Sequence, residues 1–383
     1  MKKLIILVTV PVVLETWLKG QAKYLSHYYD VEIMTSYAHS TKTIEVYENV
    51  PIRHIEFNRK INLFKDLKVL IKLLIYFYQS KPDIVYTLTP KAGLLGMLAS
   101  WLYRVPLRVH NVVGLPLMEA KGKRKVILAV TERITYFCAT HVYANSFNLK
   151  NYIQKYLTCK EVNVIAQGSV NGVDVDWFCD TIDFEIKQNL KKQLAIQNGD
   201  FVITFVGRIV KDKGINELIS VFNTLAQSHK HLKLLLIGDL EEEFDPISEK
   251  SKKIIRQHEQ IVHVEFQQDI RVFLSITDLF VLPSYREGLP NVLIEAGSYG
   301  IPLLATNING CNEVIIHEKN GLLIDSKNEI ALQNGIEKFL TDKDFYQEVK
   351  KNARESIVSR YAQHYFWNAL KEEFIKLEQE VNV

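Results

Sequence analysis

Short apolar runs, each closed by a charge or a turn residue, recur along this chain and alternate with stretches of helical period. LIILVTV, VEIMTS, IRHIEF, DIVYTL, LRVHNVV, HVYANS and VNVIAQGS occupy the first half. Residues such as Val, Ile, Leu and Tyr in runs this short fit strands buried on both faces of a parallel sheet. Between them, apolar positions spaced by three or four predict helices at Thr16–Tyr28, Leu63–Gln79, Leu94–Leu102 and Arg124–Cys138. Strand–helix–strand alternation predicts a doubly wound α/β sheet.

The pattern then begins again. FVITFV at 201–206 opens a second series, continued by LKLLLIGD, VHVEFQ, DLFVLPS, IPLLATN and GLLID. A chain of 383 residues exceeds what one core usually supports, so two domains are expected. The charged stretch from about Asp180 to Gly199 is the best boundary. This gives one Rossmann-like domain at 1–180 and a second at 181–362. The tail, 363–383, carries Phe366, Leu370, Phe374 and Leu377 on one helical face and is expected to cross back to the first domain.

Composition changes little in this picture. Hydrophobic residues make up 47% and charged residues 24%, which excludes a disordered chain. The four cysteines form no C-x-x-C pair, so a reducing compartment without structural zinc is expected. The start, MKKLIILVTVPVVLE, has the lysines of a signal peptide, yet the run meets Pro11 and Glu15 and lacks a small-residue cleavage site. It is read as the first strand. No window of about 18 uncharged apolar residues is present, so no membrane-spanning helix is expected. Net charge is only +3, but Lys121-Gly-Lys-Arg-Lys125 packs four cations into five residues, and 65–81 mixes lysines with LLIYFY. Such clusters can hold a protein on an anionic membrane at about 1 kcal/mol per basic residue. A solvated loop and an ordinary core helix are the alternatives.

In open α/β sheets ligands meet the carboxyl ends of strands. After FVITFV come Gly207 and Arg208, then Lys213. A glycine admits close backbone approach, and an arginine with a lysine can grip a diphosphate from two directions. After DLFVLPS comes YREGLPNVLIE. Pro290 suits the first helical position, and the free amides near Gly288 and Leu289 at a helix start form an anion site. Glu287 precedes the helix and Glu295 lies one turn inside it. Acceptor-only carboxylates suit sugar hydroxyls.

VGRIVKDKG, LIGD, FVLPSYREGLPNVLIEAGSYGIPLLAT and NGLLID resemble, in order and spacing, the retaining nucleotide-sugar glycosyltransferases of glycosyltransferase family four, whose two-Rossmann fold is called GT-B. The resemblance is strongest over 201–325, and Asn171-Gly-Val-Asp174 with Phe178 matches a further family segment. It implies that Arg208 and Lys213 stabilise the leaving diphosphate, and that Glu287 holds donor-sugar hydroxyls. Gly207, Gly288 and Leu289 would then lie near phosphate or sugar, Glu295 at the ribose, and Phe266 and Gln268 beside the base. The family commonly has a glycine near Glu265 and a Gly-Gly pair in the first-strand loop, and this chain has neither. Transfer by front-face attack, with no metal or other cofactor, is implied. Asp174-Val-Asp176 has the look of a D-x-D metal motif but falls inside the NGVD segment, and is read as structural or donor-positioning.

The first domain should then bind the acceptor. Thr89 and Lys91 follow DIVYTL, while His110 and Gly114 follow LRV at what read as strand ends. His110 is the nearest candidate for the histidine that many family members place by the reacting sugar; a hydrogen-bonded structural role is the alternative. LTPKAGLLGMLASWL and VVGLPLMEAKGKRK further resemble bacterial enzymes that build capsule or O-antigen repeats on undecaprenyl diphosphate. That resemblance implies a UDP-sugar donor, with an N-acetylated amino sugar expected. It also implies a lipid-diphosphate saccharide as acceptor and attachment to the inner face of the cytoplasmic membrane; no nucleic-acid partner is expected. The competing readings are a nucleotide-sugar epimerase or phosphorylase of the same fold, and a non-catalytic nucleotide-sugar binder. A dehydrogenase is disfavoured because no G-x-G-x-x-G follows the first strand.

Overall fold

The computed structural model describes residues 1–58, 62–118, 120–243 and 245–381. The chain divides into two compact units, 1–172 with 363–383 and 173–362. In the first, seven strands form one parallel sheet: β1 (Lys3–Leu7), β2 (Asp30–Thr35), β3 (Ile52–His54), β4 (Ile84–Thr87), β5 (Leu107–Val112), β6 (His141–Ala144) and β7 (Val162–Asn163). Their order is β3-β2-β1-β4-β5-β6-β7, so the winding direction reverses between β1 and β4. β1 pairs with β2 on one side and β4 on the other, and Leu4 to Leu7 are buried on both faces. One face of the sheet packs Val69, Leu73 and Phe77 of helix Leu63–Ser80 with the apolar side of helix Pro90–Tyr103. The other receives Phe366, Leu370, Phe374 and Leu377 of the last helix, Gln363–Glu380, which lies in this unit.

The second unit holds β8 (Phe201–Val206), β9 (Leu232–Ile237), β10 (Ile261–Val264), β11 (Leu279–Leu282), β12 (Leu303–Thr306) and β13 (Gly321–Ile324). The parallel order is β10-β9-β8-β11-β12-β13, with the reversal between β8 and β11. Each unit is thus a Rossmann-like layer sandwich with its own core, and each has a topological switch point where a ligand crevice is expected.

Three expectations shift. The boundary lies after Gly172 rather than after residue 180. The Val173 amide donates to Tyr361 O at 2.7 Å, and Val173, Val175 and Phe178 pack on the second core. Arg354 ties this connecting stretch down, donating to Phe178 O at 3.0 Å and Val175 O at 2.9 Å. The helix expected at 16–28 is broken into Val12–Thr16 and Gln21–Leu25. The buried Glu48 carboxylate accepts the amides of Gly20 (2.6 Å) and Lys23 (3.0 Å), which starts a new helix there. The helix expected from Leu94 begins at Pro90, whose missing N–H suits a first turn.

Candidate functional site

At the switch point of the second unit the loops after β8 and β11 meet. Gly207 and Arg208 follow β8, a single 3-10 turn spans Lys211–Lys213, and Gly214 stands at φ +70°. A side chain at Gly214 would overlap the Pro283 carbonyl just beyond β11, so only glycine lets the two loops close. The Tyr285 amide donates to Asp212 O at 2.8 Å, and Arg286 pairs with the Asp212 carboxylate. This stitching carries Lys213 to the start of the acidic motif. Lys213 Nζ lies 2.5 Å from Glu287 Oε1, and Ser284 Oγ donates to the same oxygen at 2.7 Å. Both charged side chains are mostly buried, which strengthens their attraction.

Arg208 is more exposed and pairs with Glu241 at 2.6 Å. Helix Asn291–Ser298 begins beside them, and Pro290 is its N-cap rather than its first residue. Leu289 is buried against the core, and Gly288 approaches the loop after β12. There Gly310, at φ +78°, allows backbone contact with the Gly288 carbonyl, while Asn309 Nδ2 donates to Glu287 O at 3.4 Å. Glu295 is half-buried on the fifth residue of the helix, and burial pushes its carboxyl up to about 7.

Beyond β10, Phe266 is 65% exposed with its amide held by Asp239 Oδ1 at 2.9 Å, and Gln268 is also exposed. Gly207, Arg208, Lys213, Glu287, Gly288 and Leu289 therefore gather around the ends of β8 and β11, Glu295 lies further along helix Asn291–Ser298, and Phe266 and Gln268 lie at the end of β10. Glu241, Ser284 and Asn309-Gly310 were not singled out. Asn-Gly two residues beyond the strand LLAT is the turn signal available there; nothing local marks Glu241 as the partner of Arg208. Asp174 Oδ1 accepts the amides of Asp176 and Trp177 at 3.2 and 3.0 Å, a local turn that gives the D-x-D look a structural role. A polar cleft of about 500 Å³, lined by Asp278, Lys191 and Lys350, sits at the opposite end of β8 and β11 and includes none of these residues.

In the first unit, Thr9 and Thr89 meet at the β1/β4 switch point. Their hydroxyls are 2.6 Å apart, and the Thr9 amide donates to Thr89 Oγ1 at 2.9 Å. Lys91 is paired with Asp66 at 2.8 Å, and both are largely buried. Gly114 faces open space. His110 requires correction: β5 runs through it to Val112, so it is inside the strand rather than at its end. Its ring is 1% exposed, bonded to Thr87 Oγ1 at 2.7 Å and pressed on Gly93. Burial pushes the imidazole down to about 4, and the neutral ring packs inside the sheet.

Residues 18–165 match the family described as Glycosyl transferase 4-like domain, and residues 186–356 match Glycosyl transferases group 1. The chain is 33% identical to the capsular polysaccharide biosynthesis glycosyltransferase CapM of Staphylococcus aureus over 92% of each chain. It is 29% identical to the UDP-Gal:alpha-D-GlcNAc-diphosphoundecaprenol alpha-1,3-galactosyltransferase of Escherichia coli, over 79% of this chain and 78% of that one. Anabaena Alr3699/HepE, solved in complex with UDP and glucose, superposes with a TM-score of 0.80 at 22% identity, over 98% of this chain and 100% of that chain. The two matched families follow one another along two Rossmann-like sheets, and the chain belongs to the group 1 glycosyltransferases of GT-B fold.

Proposed function

We propose that this glycosyltransferase moves a sugar from a UDP-sugar to a saccharide carried on undecaprenyl diphosphate, during assembly of a capsule or O-antigen repeat, with retention of anomeric configuration. The observation that carries the reading is the Lys213–Glu287–Ser284 cluster beside Arg208 at the head of helix Asn291–Ser298. Each cation is paired with a carboxylate. A nucleotide diphosphate takes Arg208 and Lys213 as its counter-charges, and the helix start adds amides aimed at phosphate. Glu287, relieved of Lys213, accepts hydroxyls of the donor sugar, and Glu295 those of the ribose. Negative charge grows on the departing diphosphate as the glycosidic bond breaks, so fixed cations there lower the barrier. In this reading Arg208 and Lys213 supply that charge without a metal, and Phe266 with Gln268 border the base.

UDP as carrier is supported by the nucleotide bound in the Anabaena structure and by the donor in the Escherichia coli enzyme's name. The lipid-diphosphate acceptor is supported by that same name, and the capsule setting by CapM. The proposed transferred sugar is an N-acetylated amino sugar, and Thr89, Lys91 and Gly114 mark the proposed acceptor end.

The site of action proposed is the inner face of the cytoplasmic membrane. No helix among the described residues is long and apolar enough to cross a membrane. The attachment proposed uses helices Leu63–Ser80 and Gly122–Cys138, which expose apolar side chains among lysines.

The test is a matrix of UDP-sugars against lipid-diphosphate saccharides, with products read by mass spectrometry and anomeric configuration by NMR. Transfer from a UDP-N-acetylhexosamine with an α-linked product is expected. Absence of transfer to every lipid-linked acceptor would sink the acceptor assignment, and a β-linked product would sink retention.

A further inference from the structure

Along the carboxyl edge of the first sheet, beyond Thr9 and Thr89, stands a group of rings that the donor and acceptor residues above do not use. Tyr37 follows β2 by two residues, His39 lies two further on, and His54 is the last residue of β3. β2 and β3 pair so that Thr35 stands opposite His54, which brings the three rings to one place. The Tyr37 and His54 ring centres are 5.2 Å apart with planes at 78°, and those of Tyr37 and His39 6.0 Å apart at 71°. All three residues are exposed, Tyr37 at 56%.

A phenol left in water between two imidazoles standing across it adds no core. The group is also linked to the neighbouring switch point: Ser36 Oγ donates to Thr9 O at 2.8 Å, and Thr9 in turn holds Thr89. The carboxyl edge of a sheet is where such folds meet ligands.

We propose that Tyr37, with His39 and His54, forms a stacking subsite for a pyranose ring of the acceptor saccharide. The face of an aromatic ring is electron-rich and attracts the polarised C–H groups on one face of a sugar. Imidazole nitrogens can both donate to and accept from the hydroxyls around its rim. An exposed phenol flanked by two imidazoles suits a flat, hydroxylated ring better than a phosphate, which calls for fixed cations. The subsite rests on the lipid-diphosphate-saccharide reading and extends it by naming where a sugar of the acceptor is held. It is a positioning site, carried by the first unit, whereas the proposed donor residues belong to the second.

The experiment uses the full chain and N-acetylglucosamine linked through diphosphate to a farnesyl chain, titrated by calorimetry with UDP as a parallel ligand. Tyr37→Ala is expected to weaken the farnesyl-linked probe about tenfold, and Tyr37→Phe to stay within about twofold of the parent. UDP binding should be unchanged in both, and a parent-like thermal unfolding profile reports that the first unit of the variants is folded. His39→Ala with His54→Ala should weaken the probe in the same direction. Parent-like probe binding by Tyr37→Ala overturns the subsite and leaves the proposed reaction standing. A parent chain that binds UDP but not the probe overturns the lipid-diphosphate acceptor, and the subsite with it.

Discussion

Lys213 and Glu287 form a charge pair that is mostly buried and stands where the donor diphosphate is proposed to bind. A buried ion pair gains little over apolar packing. Lys213→Ala or Glu287→Ala should therefore lower kcat/KM by about 10²- to 10³-fold while leaving the circular dichroism spectrum unchanged; parent-like turnover in both would remove the site assignment. Glu295 adds a pH signature. Burial pushes its folded carboxyl up to about 7 from an ordinary value of 4.5. The folded state thus keeps a proton that the unfolded state has released, and stability falls as pH rises between those values and is flat above. UDP should bind more weakly as pH drops from 8 to 6, because protonation removes the better acceptor of ribose hydroxyls. Glu295→Gln should flatten its share of both slopes, in calorimetry and in thermal unfolding, while Glu132, whose carboxyl burial also pushes up to about 7, leaves a remaining unfolding slope of the same sign. These acids were legible because glycine, proline and a preceding strand framed them in sequence. His110 was not: its identity suggests chemistry, but the register of β5 turns it inward onto Gly93. Glu241 was hidden for the converse reason, since its partner lies 33 residues away and no local pattern joins them.

At the scale of elements, the terminal helix Gln363–Glu380 completes the first unit. Phe374 packs edge-on against Tyr29 and Tyr86, with centroids 6.1 and 5.4 Å away, and is fully buried. Trp367 Nε1 donates to Asn171 Oδ1 at 2.6 Å, fastening the helix to the end of the first unit's chain. Phe374→Ala should cost about 3–5 kcal/mol, read as a lower unfolding midpoint, whereas Phe374→Leu should recover most of it. An unaltered midpoint in Phe374→Ala would mean that the helix does not belong to this core. The three-and-four spacing of its apolar residues announced the helix and its buried face. The same periodicity missed the break at 17–20, because the carboxylate that starts the second segment comes from Glu48, a tertiary partner. Strand existence was readable throughout from apolar runs, but strand ends were less so, and the ends decide which residues reach a ligand.

For the molecule as a whole, a net charge of +3 says little, and the distribution of that charge says more. Helix Leu63–Ser80 buries Val69, Leu73 and Phe77, yet also exposes Leu63, Phe64, Leu67, Ile71, Ile75 and Tyr78 beside Lys65, Lys68 and Lys72. Helix Gly122–Cys138 exposes Lys123, Arg124 and Lys125, then Val126, Ile127, Val130 and Phe137. Both pack against helix Pro90–Tyr103, whose exposed Trp101 lies 5.9 Å from Phe137. An ordinary amphipathic core helix has one apolar stripe; these have apolar residues in water as well, flanked by cations, as an interfacial helix does. The two contributions separate by salt. Electrostatic attraction to an anionic leaflet is screened within about 10 Å at 0.1 M ionic strength, while apolar insertion is not. Replacing Lys121, Lys123, Arg124 and Lys125 with serine should therefore reduce sedimentation with phosphatidylglycerol vesicles at low salt. The parent should lose part of its binding in high salt and keep a salt-resistant remainder. Changing Phe64 and Ile71 to serine should remove that remainder and spare the low-salt attraction. If the parent binds neither anionic nor neutral vesicles, these helices are solvated faces, and the acceptor must reach the enzyme without the protein resting on the membrane; equal binding to both would leave apolar insertion alone as the attachment.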